Sequence, residues 1–231
     1  MRQEWISIDA ADGGRYDAYL ALPPAGRGPG LLLLQEIFGV NRHIRAVAEQ
    51  YAQDGFVVLA PDVFWREAPR VELGYVGAER ERAMQLLARA DRARLAADLA
   101  TSVAALRARP ECTGKVGAFG YCLGGRLAYL AAATTGLGAA SCFYGGGIHD
   151  QLEHAARIDC PIQFHYGERD SHIPLAAVEK VKAACAGRKS AEFHLYDAEH
   201  GFNCWERAAY HAPSAALAHA RTLALFARAL F

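Results

Sequence analysis

Short apolar runs alternate along the chain with longer segments whose apolar residues recur every three or four positions, and this alternation predicts an α/β fold. The segments 4–9 and 16–22 flank an Asp-Gly-Gly turn and predict an antiparallel hairpin. GLLLLQ at 30–35 and FVVLA at 56–60 lack polar alternation, the pattern of strands buried on both faces, and a helix is predicted between them at 42–53. From 78 to 109 the pattern is helical, with Leu95, Leu99, Val103 and Leu106 on one face, until Pro110 stops it. KVGAF at 115–119, AASCFY at 139–144, IQFHYG at 162–167 and EFHLYD at 192–197 predict further strands. Helices are predicted at 123–134, 175–186 and 214–229, and Gly145-Gly146-Gly147 predicts a loop.

A chain of 231 residues fits a single domain spanning 1–231, and no low-complexity linker, charge block or internal repeat divides it. Its 25 Lys and Arg balance 25 Asp and Glu, so nothing in the charge points to nucleic acid, an anionic membrane or a polyanionic partner. No apolar run approaches the roughly 20 residues needed to span a bilayer. The N-terminus lacks the continuous apolar segment of a secretory signal, so a soluble cytoplasmic protein is expected, as a monomer or weak homodimer. Six cysteines, at 112, 122, 142, 160, 185 and 204, form no CxxC pair, and most are expected to be free thiols. For any one of them the ordinary role is that of a small buried hydrophobe.

Cys122 has a different setting. In KVGAFGYCLGG it ends a strand and opens a helix, with Gly120 and Gly124 two residues before and after it, the arrangement of a nucleophile elbow. The positive end of the helix dipole there favours thiolate over thiol. An elbow nucleophile in an α/β sheet is followed in chain order by an acid and then a histidine. GERDSHIP at 167–174 and AEHGF at 198–202 both follow a predicted strand, where an open α/β sheet puts its ligand site. Asp170 and His200 suit the two roles, His200 as proton acceptor and donor and Asp170 as the group that orients it. Glu168 and Asp197 compete as acid, and His165, His172 and His194 as base. HDQLEH at 149–154 holds metal-ligand residue types without an HExxH pattern, and no metal or organic cofactor is expected.

GYCLGG, GERDSHIP and AEHGF, with QEIFGVN at 35–41 and APDVF at 60–64, resemble the dienelactone hydrolase (carboxymethylenebutenolidase) family of the α/β-hydrolases over nearly the whole chain. The resemblance implies an α/β-hydrolase three-layer sandwich, with a mostly parallel doubly wound sheet preceded by an antiparallel hairpin. It implies a triad of Cys122, Asp170 and His200 and an oxyanion hole made by the backbone N–H groups of Ile37 and Leu123. It gives Glu36 the task of gating the thiol: contacting it at rest and moving when substrate arrives. The family holds a substrate carboxylate between two arginines. The first matches Arg80, with Arg82 a near neighbour; the second falls at Cys204, and Arg207 lies one turn further on. Tyr144 and Phe202, just past strand ends, are the favoured aromatic lining residues. The implied activity is hydrolysis of a small-molecule ester or lactone through a thioester intermediate. The alternatives are a broader esterase or acyl-transfer enzyme acting on substrates without a carboxylate, and a non-catalytic redox-sensing member of the fold with Cys122 oxidised.

Overall fold

The apolar runs become strands and the periodic segments become helices in the computed structural model, which describes residues 2–188 and 190–231. The chain divides into two compact units, Met1–Gly117 and Ala118–Phe231.

In the first unit, β1 (Gln3–Asp9) and β2 (Arg15–Ala21) form the hairpin, paired antiparallel from Gln3 against Ala21 to Asp9 against Arg15. β2 continues antiparallel onto β4 (Val57–Pro61), and β4 pairs in parallel with β3 (Gly28–Leu34), giving the order β1-β2-β4-β3. Every residue of β3 and β4 is buried, which is why neither run alternates. α1 (Arg42–Gln53) joins them, started by Asn41, whose side-chain oxygen accepts from the Ile44 N–H.

The segment read as one helical stretch is two helices, α2 (Gly77–Arg89) and α3 (Arg92–Arg107). The break is a helix start: Asp91 accepts from the N–H groups of Ala93 and Arg94 and caps α3. α3 buries Leu95, Leu99, Val103 and Leu106, the predicted face, whereas α2 buries only Ala83 and Leu86. In the APDVF segment, Asp62 turns the chain after β4 by accepting from Phe64 N and Arg70 N. Burial raises its carboxyl to about 6.

β5 (Cys112–Tyr121) begins in the first unit and ends in the second. Within the second unit β6 (Ala139–Phe143), β7 (Ile162–Gly167) and β8 (Ala191–Tyr196) are parallel, in the order β5-β6-β7-β8. α4 (Leu123–Thr134), α5 (Leu175–Ala184) and α6 (Ala212–Leu230) follow β5, β7 and β8. The sequence pattern missed two short 3₁₀ segments at Ile148–Asp150 and Leu152–Arg157, which use the residues of HDQLEH to lead into β7. The second unit's core is aromatic: Phe119, Tyr121, Phe143, Tyr144, Phe164 and Phe202 are all essentially inaccessible to solvent. Each such ring contributes on the order of 1.5–3 kcal/mol relative to exposure. No helix among the described residues is long and apolar enough to cross a membrane.

Candidate active site

Three strand ends of the second unit place the candidate catalytic groups. β5 runs directly into α4 through Cys122, whose backbone (φ 55°, ψ −113°) lies in a region L-residues rarely occupy. Holding it there costs about 1–3 kcal/mol, and the surroundings supply the restraint. Cys122 N donates to Phe143 O, and Cys122 O accepts from Gly125 N and Arg126 N. The side chain of Cys122 does not cap the helix, so the sulfur is free of the task that residues at this position usually have.

Gly125 has a steric reason to be glycine at this turn. A Cβ there would overlap the Phe143 carbonyl oxygen and crowd Gly145, so the first turn of α4 lies directly on the end of β6. Gly125→Ala is expected to push the elbow off that strand end, cost about 1–3 kcal/mol, and lower turnover at least tenfold with little change in far-UV circular dichroism. Wild-type turnover in Gly125→Ala would show that the close approach does not set the nucleophile.

The acid and the histidine come from the turns after β7 and β8. Gly167, the last residue of β7, has no room for a Cβ because the Ala198 carbonyl occupies it. Arg169 N donates to Ala198 O, Glu168 N to Tyr196 O, and the Arg169 guanidinium binds both the carbonyl and the carboxylate of Asp197. The two turns are thereby held side by side. Asp170, its side chain fully buried, uses one oxygen to accept from His172 N (2.8 Å) and Ile173 N (3.1 Å), leaving the other 2.7 Å from His200 Nδ1. A carboxylate only accepts, so Nδ1 carries the hydrogen and Nε2 is left for Cys122, with which His200 also hydrogen-bonds. Burial by itself would push the His200 imidazole down, but the bonds to Asp170 and Cys122 outweigh it and raise the group to about 10.

The competing assignments separate on the same geometry. Asp197 is exposed and paired with Arg169, and Glu168 is exposed. His165 is fully buried in β7, bonded to Tyr196 and Thr222, and burial holds it well below its ordinary range, so it is a neutral core group. His194 is tied to Glu192. His172 lies beside Asp170 and His200 but points largely to solvent.

Around His200 the predicted aromatics assemble. The Tyr144 ring meets it edge-on with centroids 5.0 Å apart, and Phe202 packs on Tyr144 at 5.3 Å. Tyr144 itself has φ 36°, pinned by its N–H donating to His165 O. Cys204 is completely buried, its N–H turned back to Gly201 O. The Arg207 guanidinium packs over Gly201, the residue next to His200, where a Cβ would collide with it. Leu123 is the first residue of α4, so its N–H is among those a helix leaves without an internal acceptor. The remaining sequence candidates belong to the first unit: Glu36 and Ile37 are buried in the turn after β3, and Arg80 lies on an exposed stretch of α2.

The family model described as Dienelactone hydrolase family matches residues 16–230. Carboxymethylenebutenolidase of Pseudomonas sp. (strain P51) is 38% identical over 232 residues, covering 99% of this chain and 96% of that protein. Carboxymethylenebutenolidase 1 of Cupriavidus pinatubonensis is 32% identical, covering 98% of this chain and 97% of its own. Among solved structures, that of a candidate dienelactone hydrolase from Klebsiella pneumoniae superposes with a TM-score of 0.87 at 29% identity, covering 98% of this chain and 99% of that one.

Proposed function

The chain belongs to the dienelactone hydrolase family of ester and lactone hydrolases, and on that premise we propose that it works through a thioester on Cys122. The observation that carries the reading is His200, bonded through Nδ1 to the buried Asp170 at 2.7 Å and hydrogen-bonded also to a cysteine at the start of a helix. The Cys122 sulfur, its proton taken by His200 Nε2, attacks the carbonyl carbon and forms the C–S bond. The carbonyl electron pair moves onto oxygen, and the Leu123 N–H and the dipole of α4 stabilise that oxyanion. The intermediate collapses by breaking the C–O bond, and His200 delivers its proton to the departing alkoxide or enolate. His200 then takes a proton from water, whose oxygen attacks the thioester; the acid product leaves and the thiol is restored. Asp170 keeps Nδ1 protonated throughout, so that Nε2 alone exchanges protons.

Resemblance to the family extends the proposal to the first unit, with the Ile37 N–H as second oxyanion donor and Glu36 as the gate on the thiol. Glu36→Gln is expected to speed iodoacetamide alkylation of the free enzyme; if alkylation and turnover both stay at wild-type values, the gate is not there. The single-domain organisation expected from the length belongs to the same proposal, since the division between the units falls inside β5. Six free cysteines support a reducing, cytoplasmic setting.

The second reading, an esterase acting on substrates without a carboxylate, is favoured by Cys204, which brings a buried thiol where the family resemblance calls for an arginine. The experiment that tests both is hydrolysis of paired lactones and esters with and without a free carboxylate, by the wild type and Cys122→Ala. Equal kcat/KM within each pair supports the second reading. A preference of about ten- to a hundredfold for the acids, the worth of one charge-assisted contact, supports a carboxylate site. No release above buffer by the wild type would remove the hydrolase reading for these classes.

A further inference from the structure

Beside the nucleophile, two imidazoles converge on one carboxylate. Asp170 presents one oxygen 2.7 Å from Nδ1 of His200 and the other 3.7 Å from Nδ1 of His172, and the two rings lie 4.9 Å apart. One donor atom from each residue falls within 4.8 Å of the other two. The Asp170 and His200 side chains are 0% and 10% exposed, whereas that of His172 is 57% exposed, and its Nδ1 also lies 3.5 Å from the Ser171 hydroxyl. The hydrolytic steps give His172 no task.

We propose that Asp170, His172 and His200 form a binding site for a divalent transition-metal ion of the Zn²⁺ type, and that its occupation switches the hydrolase off. The inhibitory part rests on the triad reading; the binding part does not. Two imidazole nitrogens and one carboxylate oxygen are a donor set that Zn²⁺ accepts, with water as fourth ligand, while Mg²⁺ and Ca²⁺ prefer oxygen donors alone. Around a tetrahedral ion with bonds of about 2.0–2.1 Å the donors stand roughly 3.4 Å apart. The two separations involve different oxygens of Asp170, 3.7 Å from Oδ1 to His172 and 2.7 Å from Oδ2 to His200, so the carboxylate meets the ion with both oxygens or turns to present one as the short hydrogen bond is exchanged for metal bonds. The His172 and Ile173 N–H groups on Asp170 hold the carboxylate in place, as partners behind metal ligands do.

The consequence for catalysis follows from the imidazole's two nitrogens. The ion takes the lone pair of His200 Nδ1, and the single hydrogen of the neutral ring moves through solvent from Nδ1 to Nε2, leaving Cys122 as the thiol. That nitrogen then has no lone pair with which to accept the Cys122 proton. Metal on Nδ1 and acceptance of the catalytic proton at Nε2 therefore exclude one another.

The test uses the full chain in metal-free, non-coordinating buffer with Zn²⁺ alone for activity and Co²⁺ alone as spectroscopic probe. Zn²⁺ is expected to lower ester turnover at least tenfold, with full recovery on adding EDTA. His172→Gln should retain metal-free turnover yet require at least tenfold more Zn²⁺ for the same inhibition, the usual weight of one supporting ligand or more. His172→Cys, which restores a donor, should restore sensitivity. In Cys122→Ser, Co²⁺ should give the visible absorption of four-coordinate cobalt without a thiolate charge-transfer band, and adding His172→Gln should abolish it. Equal Zn²⁺ inhibition of wild type and His172→Gln overturns the proposal, as does a cobalt spectrum that vanishes in Cys122→Ser, because either puts the metal on the thiol. The cobalt readout needs no turnover, so a failure of the hydrolase reading and a failure of the metal site are recorded separately.

Discussion

Cys122→Ala is expected to lower kcat/KM for activated esters by on the order of 10⁵-fold, the scale at which removing a covalent nucleophile leaves only binding and oxyanion stabilisation. The same position carries a stability cost. With φ at 55° and ψ at −113°, any L-residue at 122 is strained, and the strain persists in alanine. Glycine reaches that conformation without a Cβ clash, so Cys122→Gly should be more stable than Cys122→Ala by about 1 kcal/mol, after allowing for glycine's larger backbone entropy. Comparing the two variants removes the sulfur and its bond to His200 from both sides of the difference. Urea denaturation at neutral pH reads the stability and a chromogenic ester reads the activity. If alanine is as stable as glycine, the elbow is not strained in the way the dihedrals indicate.

Asp170→Asn is expected to lower kcat by on the order of 10⁴-fold while leaving KM within a fewfold of wild type. The amide oxygen still accepts from His172 N and Ile173 N, so the turn survives, but the amide N–H₂ now faces His200 and favours the tautomer with hydrogen on Nε2. The stability penalty should depend on pH with a definite sign. His200 is raised from 6.5 to about 10 in the fold, so its contribution is fully present below about pH 6.5 and is lost as the pH rises through about 10. Asp170→Asn removes the carboxylate that supports that rise; its penalty, on the order of a few kcal/mol, should therefore be largest near pH 6 and shrink toward pH 10. A penalty that grows with pH would contradict the assignment of the charge.

Much of this site can be read from the chain because strand ends are legible. Cys122, Asp170 and His200 each sit just past an apolar run, and the order of nucleophile, acid and histidine narrows the partners before any distance is known. What the chain does not display is close approach. The choice of Asp170 over Asp197 becomes physical only through Gly167, which lets the turn after β7 lie against Ala198, and through Arg169, which occupies Asp197. The spacing singles out Gly120 and Gly124, and does not display Gly125, which is pressed on Phe143 and Gly145. The break between α2 and α3 had a visible signal in Asp91, a capping residue inside a stretch otherwise read as continuous helix. His172 looked like a rival base and is instead an exposed neighbour of the acid and the base. Its place depends on the bend that Asp170 imposes on its own backbone, which no one-dimensional periodicity records.

The central claim is that the acyl group passes through the Cys122 sulfur. Acid-quenching the wild-type enzyme within the first turnovers of a slowly deacylating ester, then mapping the adduct by peptide mass spectrometry, tests it most directly. The account predicts one acyl group on the peptide containing Cys122, accumulating faster than acid product is released and absent from Cys122→Ala. An acyl group on another residue, or steady hydrolysis by Cys122→Ala at the wild-type rate, would contradict it.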